Sequence, residues 1–386
     1  MNNFDFIVVG GGITGSVLSY ELAQKGLKVL LLEKDPDYDN ATRYSYGGIA
    51  YWSGTDDLSR KLCQESREIY HNLSEELDAE TEFRELDLML TISSQNNPNL
   101  VADSYEKFAI QPQLLTPQEA CEIEPLLNTE AISGVLKLPH GHIHPQKTND
   151  AYQQAFSRLG GEIKYEQVNQ LISHNNILEG VRTNREQYYA KNTVICAGGL
   201  SRSLLKELGV TINIYFTHAQ LILTPTVDIT LKSLVMPAIL NRINLEEKSG
   251  ESNLKSLWDA ANDHLISDII DPGAIQFLDG SFCLGQISQI RTNPLAKIDS
   301  NLAEATIRQG IGKILPELQN IPGKLHHCLV AFSPDANFLV GRIDKFTALH
   351  LFSGFTSTFV FAPPLAKGFA SLVTDNYQEL PIIKIS

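Results

Sequence analysis

The chain has 386 residues, 43% hydrophobic and 20% charged, enough for a large core and more than one ordinary domain. Its net charge of −14 disfavours nucleic acid and anionic membrane as main partners, because both attract basic surfaces. No apolar run is long enough to span a bilayer. Met1 leads straight into an apolar strand, leaving no room for a signal or transit peptide. The cysteines, Cys63, Cys121, Cys196, Cys283 and Cys328, are scattered and form no C-x-x-C pair. These features lead us to expect a cytoplasmic protein without a transmembrane segment, disulfide framework or zinc site.

Phe4 to Val9 reads as a buried parallel strand. Gly10, Gly12 and Gly15 follow as G-x-G-x-x-G, then an amphipathic helix from Ile13 to Gln24, stopped by Gly26. A second apolar run, Lys28 to Leu32, ends on Glu33. This is a complete strand-turn-helix-strand unit with an acidic end. Gly10 permits the tight turn, Gly12 admits a pyrophosphate to the backbone, and Gly15 lets helix and strand pack closely. The helix N-terminus offers unpaired N–H groups to phosphates. Glu33 can accept both ribose hydroxyls and repels a 2′-phosphate. The unit therefore binds FAD or NAD rather than NADP.

Residues 57 to 77 form a charged helix, and 83 to 92 a strand. Residues 101 to 124 look helical with a break at Pro117, where Thr116 is placed as an N-cap. His140, His142 and His144 alternate as a strand would, which raises a metal site. Against it, no carboxylate or thiolate lies nearby in sequence. A helix from Gln146 to Arg158 ends at Gly160-Gly161. Strands follow at 162–165, 168–173, 177–183, 187–190 and 193 onward, the last running into glycines at 198 and 199. A β-rich part resumes at 215–224. Residues 241–256 form a polar, lysine-rich excursion, and 274–290 a hairpin turning at Asp279-Gly280. A helix at 301–315, a strand at 348–352 and a helix starting near Pro363-Pro364 complete the chain. Helix and strand alternate at both ends around β-rich material. That pattern suggests a nucleotide domain assembled from separated segments.

The segments GGGITG, TRYSYGGI, HIHPQKTNDAYQQAFSRLGGEI, NTVICAGGLSRSLL, LDGSFCLGQ, SPDANFLVGR and SGFTSTFVFAP occur in that order. In this the chain resembles the D-amino-acid oxidase superfamily of FAD-dependent oxidoreductases, which includes glycine oxidase and monomeric sarcosine oxidase. The resemblance spans nearly the whole length. It implies an α/β fold: a glutathione-reductase-like FAD-binding Rossmann domain with an inserted β-rich α+β substrate domain. The implied boundaries are 1–82, 141–214 and 325–386 for FAD, and 83–140 and 215–324 for substrate. Gly10, Gly12, Ile13, Thr14 and Gly15 would hold the pyrophosphate, and Glu33 and Lys34 the ribose. Arg43, Ser45, Gly47 and Gly48 would line the flavin. Val168 would bond the adenine through its backbone, with Ala197 and Gly198 beside the cofactor. Gly354, Phe355, Thr356, Ser357 and Thr358 would run under the isoalloxazine at a helix N-terminus, which suits the negative charge of reduced flavin.

Cys328 stands seven residues before Asp335, an offset similar to that of the covalent flavin link of sarcosine oxidase. The alternative is a small buried hydrophobe. His326 and His327 precede it and could help form a thiolate. The chain also departs from the family. Val330 occupies the position of the arginine that clamps the substrate carboxylate, and Ala331 replaces a proline. Residues 355 to 360 lack the His and Lys that sarcosine oxidase carries there. Arg291 is the first candidate for a substitute clamp, followed by Arg43 and Arg342. Tyr51 and Trp52 either wall the substrate pocket or pack.

The implied reaction is oxidation of the C–N bond of an amino acid or secondary amine by hydride transfer to flavin N5. Oxygen or another acceptor then takes the electrons. A flavin dehydrogenase of a 2-hydroxy acid or polyol is the alternative. The second alternative is a degenerate FAD-binding protein, favoured if Phe332, Phe355 and Phe359 fill the pocket.

Overall fold

The computed structural model describes residues 4–238, 241–260 and 262–375. Among these, two sheets organise the molecule. The first has eight strands, with a main path Leu339–Arg342, Leu349–Ser353, Gln187–Ile195, Phe4–Val9, Val29–Glu33, Glu162–Tyr165. Its inner strands are parallel. They are covered on both faces, so Ile7, Val8, Leu30 and Leu31 in succession are all fully buried. The same covering changes the character of the Ile13–Gln24 helix. It lies between the sheet and the helices Pro145–Arg158 and Thr358–Asp375, which buries even Ser16 and Ser19. A core helix replaces the expected amphipathic one.

The second sheet has nine strands and is mostly antiparallel, running from Lys324–Phe332 through Tyr215–Leu223, Phe282–Arg291, Leu265–Gln276, Leu234–Pro237, Arg84–Ser93 and Ile132–His142 to Gly48–Ile49. Side chains alternate between its faces. Met89, Val135, Ala274 and Leu284 pack under the Ser300–Ile314 helix. Leu88, Leu90, Leu136, Leu138, Cys283 and Cys328 form the other face, which Tyr44, Tyr46 and Trp52 cover.

Several expectations change. Residues 325–386 do not all stay with the first sheet. The strand Lys324–Phe332 pairs along its length with Tyr215–Leu223 in the second. Residues 101–124 are not one helix. Pro112 ends helical structure, and Gln113–Leu115 instead adds to the Ile132–His142 strand before the Pro117–Ile123 helix. Thr116 caps that helix in a capping box with Glu119, as its sequence indicates. The pieces at 187–190 and 193 are one strand, Gln187–Ile195. The 241–256 excursion forms two short helices, and the turn after them is anchored by Trp258, stacked 4.4 Å from Tyr215. No helix among the described residues is long and apolar enough to cross a membrane.

The last helix starts at Thr358, five residues before Pro363, so both prolines lie inside it. Pro363 has no N–H for the Phe359 carbonyl. Tyr70, buried on the Asp57–Glu76 helix, supplies the missing donor: its hydroxyl reaches the Phe359 oxygen at 2.8 Å. Tyr70→Phe leaves that carbonyl unsatisfied and is expected to cost about 1–3 kcal/mol, read as a lower urea midpoint. An unchanged midpoint would show that the carbonyl needs no donor.

Glu21 gives a pH signature. Burial first, and Glu76 second, raise its carboxyl to about 7. A folded value above the unfolded one means that ionisation opposes folding. The penalty is absent below the ordinary value of 4.5 and grows as pH rises towards 7. Glu21→Gln is therefore expected to raise the melting temperature above neutrality and to change it little near the acid end of that window. Equal shifts at both ends would sink this account.

Candidate functional site

The turns that follow four neighbouring parallel strands lie side by side at their carboxyl ends, where open α/β sheets bind ligands. After Phe4–Val9 comes the glycine turn. Gly10 has φ +109°, and a Cβ there would sit 2.5 Å from the Cys196 carbonyl oxygen. A Cβ on Gly15 would lie 1.8 Å from the Gly10 oxygen, so helix and turn touch only because that residue is glycine. Gly12 N-caps the helix. Ile13 N donates to Thr42 Oγ1 at 2.9 Å, and Thr14 is half-buried in the first turn.

After Val29–Glu33 comes Glu33 itself, buried, its carboxylate accepting from Gly11 N at 2.6 Å and Asp35 N at 2.9 Å. Lys34 is exposed. After Gln187–Ile195 come Ala197 and Gly198, the latter at φ +53°. Val168 opens the strand that pairs with Ile177–Thr183. After Leu349–Ser353 come Gly354 at φ +72° and the buried Phe355. Thr356 N donates to the Asn337 oxygen at 2.9 Å, and the Ser357 oxygen accepts from Val360 and Phe361, opening the Thr358 helix. A backbone cradle, an oriented carboxylate and a helix N-terminus in one row fit FAD.

The loop after Glu33 crosses to the second sheet. Arg43 is exposed and donates to the Asp37 carbonyl at 2.6 Å. Ser45 Oγ accepts from Gly47 N at 3.2 Å. Gly48 abuts His140: a Cβ there would lie 2.6 Å from its Nε2. Along the same loop, Tyr44 stacks on His326 with centroids 4.4 Å apart, and Trp52 Nε1 donates to His140 Nδ1 at 3.1 Å. Trp52 in turn meets Phe108 edge-on at 5.2 Å. Tyr51 diverges from Trp52. It packs in the first sheet's core and reaches Glu85 at 3.4 Å.

Cys328 is buried on this aromatic face, and burial pushes its thiol up to about 12. His326 shares the face. His327 lies on the other, its Nε2 2.7 Å from His218 Nδ1. Burial lowers the pKa of both His326 and His327. The candidate clamps are otherwise engaged. Arg291 Nε donates to Asp263 at 3.0 Å, and Arg342 lies 3.8 Å from Asp344. Phe332 packs with Tyr215, while Phe355 and Phe359 belong to the first sheet's core, so none of the three lies on the aromatic face. His144 caps the following helix, and among the described residues no cluster of three or more His, Cys, Asp or Glu is placed to hold a metal. The sequence reading missed Thr42, Tyr70, Arg84 and the His218–His327 pair, because each acts through a partner distant in sequence.

This is the fold and cofactor cradle of a flavin-dependent oxidoreductase. Residues 5–372 match the family described as DAO, FAD dependent oxidoreductase, and the chain belongs to it. It is 22% identical over 95% of its length to 4-methylaminobutanoate oxidase (formaldehyde-forming) of Paenarthrobacter nicotinovorans, of which it spans 43%. It is 23% identical over 98% of its length to peroxisomal sarcosine oxidase of Homo sapiens, of which it spans 95%. Its fold matches that of glycine oxidase from Geobacillus kaustophilus with a TM-score of 0.81 and 18% identity, covering 100% of this chain and 99% of that one.

Glu33→Ala removes the acceptor for the ribose hydroxyls. Hydrogen bonds to a charged group are worth about 1.5–3 kcal/mol, so FAD binding should weaken about 10- to 100-fold. Titration of apoprotein with FAD, followed by flavin fluorescence, reads this directly. An unchanged affinity would remove Glu33 from the cofactor site.

Proposed function

We propose that the protein uses FAD to oxidise the C–N bond of an amino acid or secondary amine. The observation that carries this reading is the apolar, aromatic face brought against Gly48 by the Tyr44–Trp52 loop. Bound FAD supplies the two-electron acceptor, taking hydride from the carbon next to nitrogen. The chain binds, orients and desolvates. An ammonium group entering among Tyr44, Tyr46, Trp52 and Phe108 loses hydration, which favours its neutral form and frees the nitrogen lone pair. His140 is itself held neutral, its pKa pushed down to about 3 by burial. The five free cysteines agree with a reducing cytoplasm.

Reconstituted holoenzyme mixed anaerobically with sarcosine, glycine and 4-methylaminobutanoate is expected to lose its visible flavin band with at least one of them. Admitting air then tells an oxidase from a dehydrogenase that needs another acceptor. Bleaching by a 2-hydroxy acid or glycerol 3-phosphate alone would overturn the amine reading.

Cys328 bears on how the cofactor is held. A thiol kept neutral in an apolar cluster is a poor nucleophile. The flavin is expected to stay dissociable: acid precipitation should leave the yellow colour in the supernatant, in wild type and Cys328→Ser alike. Colour in the wild-type pellet that is lost in Cys328→Ser would establish a thioether instead.

A further inference from the structure

Val330 leaves the aromatic face without the arginine that the family resemblance places there. A different set of donors lies on the same face, on the adjacent strands Arg84–Ser93 and Ile132–His142. Arg84 is directly opposite His142, and Leu86 opposite His140, so Arg84, His142 and His140 share one side of the sheet. Residues two apart on a strand are roughly 7 Å apart.

Chemistry fixes the protons. The indole N–H of Trp52 can only donate, so His140 Nδ1 accepts and the ring proton lies on Nε2. The guanidinium of Arg84 can only donate, so His142 Nδ1 accepts from its Nε at 3.3 Å and that proton also lies on Nε2. His140 is 4% exposed and its Nε2 has no hydrogen-bond partner. It points at Gly48, where the absence of a side chain leaves it reachable from the flavin loop. His142 is 1% exposed and its Nε2 has no partner within hydrogen-bonding distance, although the Tyr46 carbonyl lies close enough to favour the charged ring. Arg84 is further held by the Gln276 carbonyl, and the anion nearest to it, Glu82, is bound by Lys147. Buried donors without acceptors are rare, and each one calls for a partner.

We propose that His140, with His142 and Arg84 behind it, forms the subsite that takes a carboxylate of the substrate. This rests on the amine-oxidation reading above. One imidazole N–H aimed at the flavin loop, a second beside it and a permanent cation are more than a neutral flavin carbonyl requires. They suit two oxygens sharing one negative charge. The substrate class is then an amine that carries a carboxylate, held from the opposite end of the sheet to Val330.

The test uses FAD-loaded protein, with acetate and benzoate as probes, acetamide and benzamide as neutral controls, and perturbation of the flavin spectrum as the readout. His140→Phe and Arg84→Met should each raise the carboxylate Kd about tenfold or more. Amide binding, FAD content and the reduction potential of the unliganded flavin should not change. His140→Gln, which keeps a donor, should recover part of the affinity. Trp52→Phe, which frees the tautomer while keeping the ring, should weaken carboxylates in the same direction, and it serves if His140→Phe fails to hold FAD. An unchanged carboxylate Kd in loaded His140→Phe overturns the proposal. A shifted flavin potential with unchanged carboxylate Kd also overturns it, by giving the donor to the flavin. The two readings separate cleanly. Carboxylate binding lost with these residues in an enzyme that no amine bleaches supports the subsite and sinks the amine reading. Bleaching by amines with no carboxylate binding does the reverse.

Discussion

One loop ties the two halves of the molecule together. Residues 44 to 52 leave the nucleotide side, and their aromatic side chains must cover a face of the second sheet that would otherwise expose Leu88, Leu90, Leu136 and Leu138. That burial is worth about 25 cal/mol per Å² of apolar surface removed from water, a non-directional force that needs only area. Direction comes from the loop's polar contacts: Trp52 to His140, and Gly48 paired with His142 at the sheet's end. Because the same loop borders the cofactor cradle, packing the second sheet also sets where a substrate meets the flavin. Stability and site geometry share the same side chains here.

The glycines enforce the other half of that geometry. Gly15 is in van der Waals conflict with any side chain, because the Gly10 carbonyl occupies the space. The helix start, the turn and the Gln187–Ile195 strand end are therefore locked at backbone distance. Neither end of this arrangement depends on a long-range charge pair, so the −14 net charge has little bearing on the site.

How much of this could be read in the chain follows from how local each constraint is. Phe4 to Glu33 is legible because a parallel strand buried on both faces is a continuous apolar run, and because a turn with φ +109° demands glycine. The capping box at Thr116 is legible for the same reason, since its partners are three residues apart. Lys324–Phe332 is harder. It alternates like any edge strand, and only its register with Tyr215–Leu223 assigns it to the second sheet. Pro363 misled because a proline inside a helix is tolerated only if something else serves the stranded carbonyl. That something, Tyr70, lies 289 residues away from Phe359. The clamp candidates were chosen by their place near family landmarks. Arg291 is one such residue, yet its charge is taken by Asp263, 28 positions earlier in the chain.

The histidines show most clearly why composition underdetermines chemistry. His140, His142 and His144 alternate in sequence as a metal-binding strand would. The fold ends the strand at His142 and turns the third residue into a helix cap. The remaining two face an apolar layer in which charging an imidazole is costly, and burial lowers the pKa of both. Each ring also has a donor-only neighbour on Nδ1, which sets its tautomer. A neutral, oriented N–H donor in a dry layer acts differently from a titrating base: it holds an oxygen in place without exchanging protons with it. An oxidation that needs only a desolvated amine and a nearby hydride acceptor requires a group of that kind, and the strand pairing of Arg84 with His142 and Leu86 with His140 puts it beside Gly48.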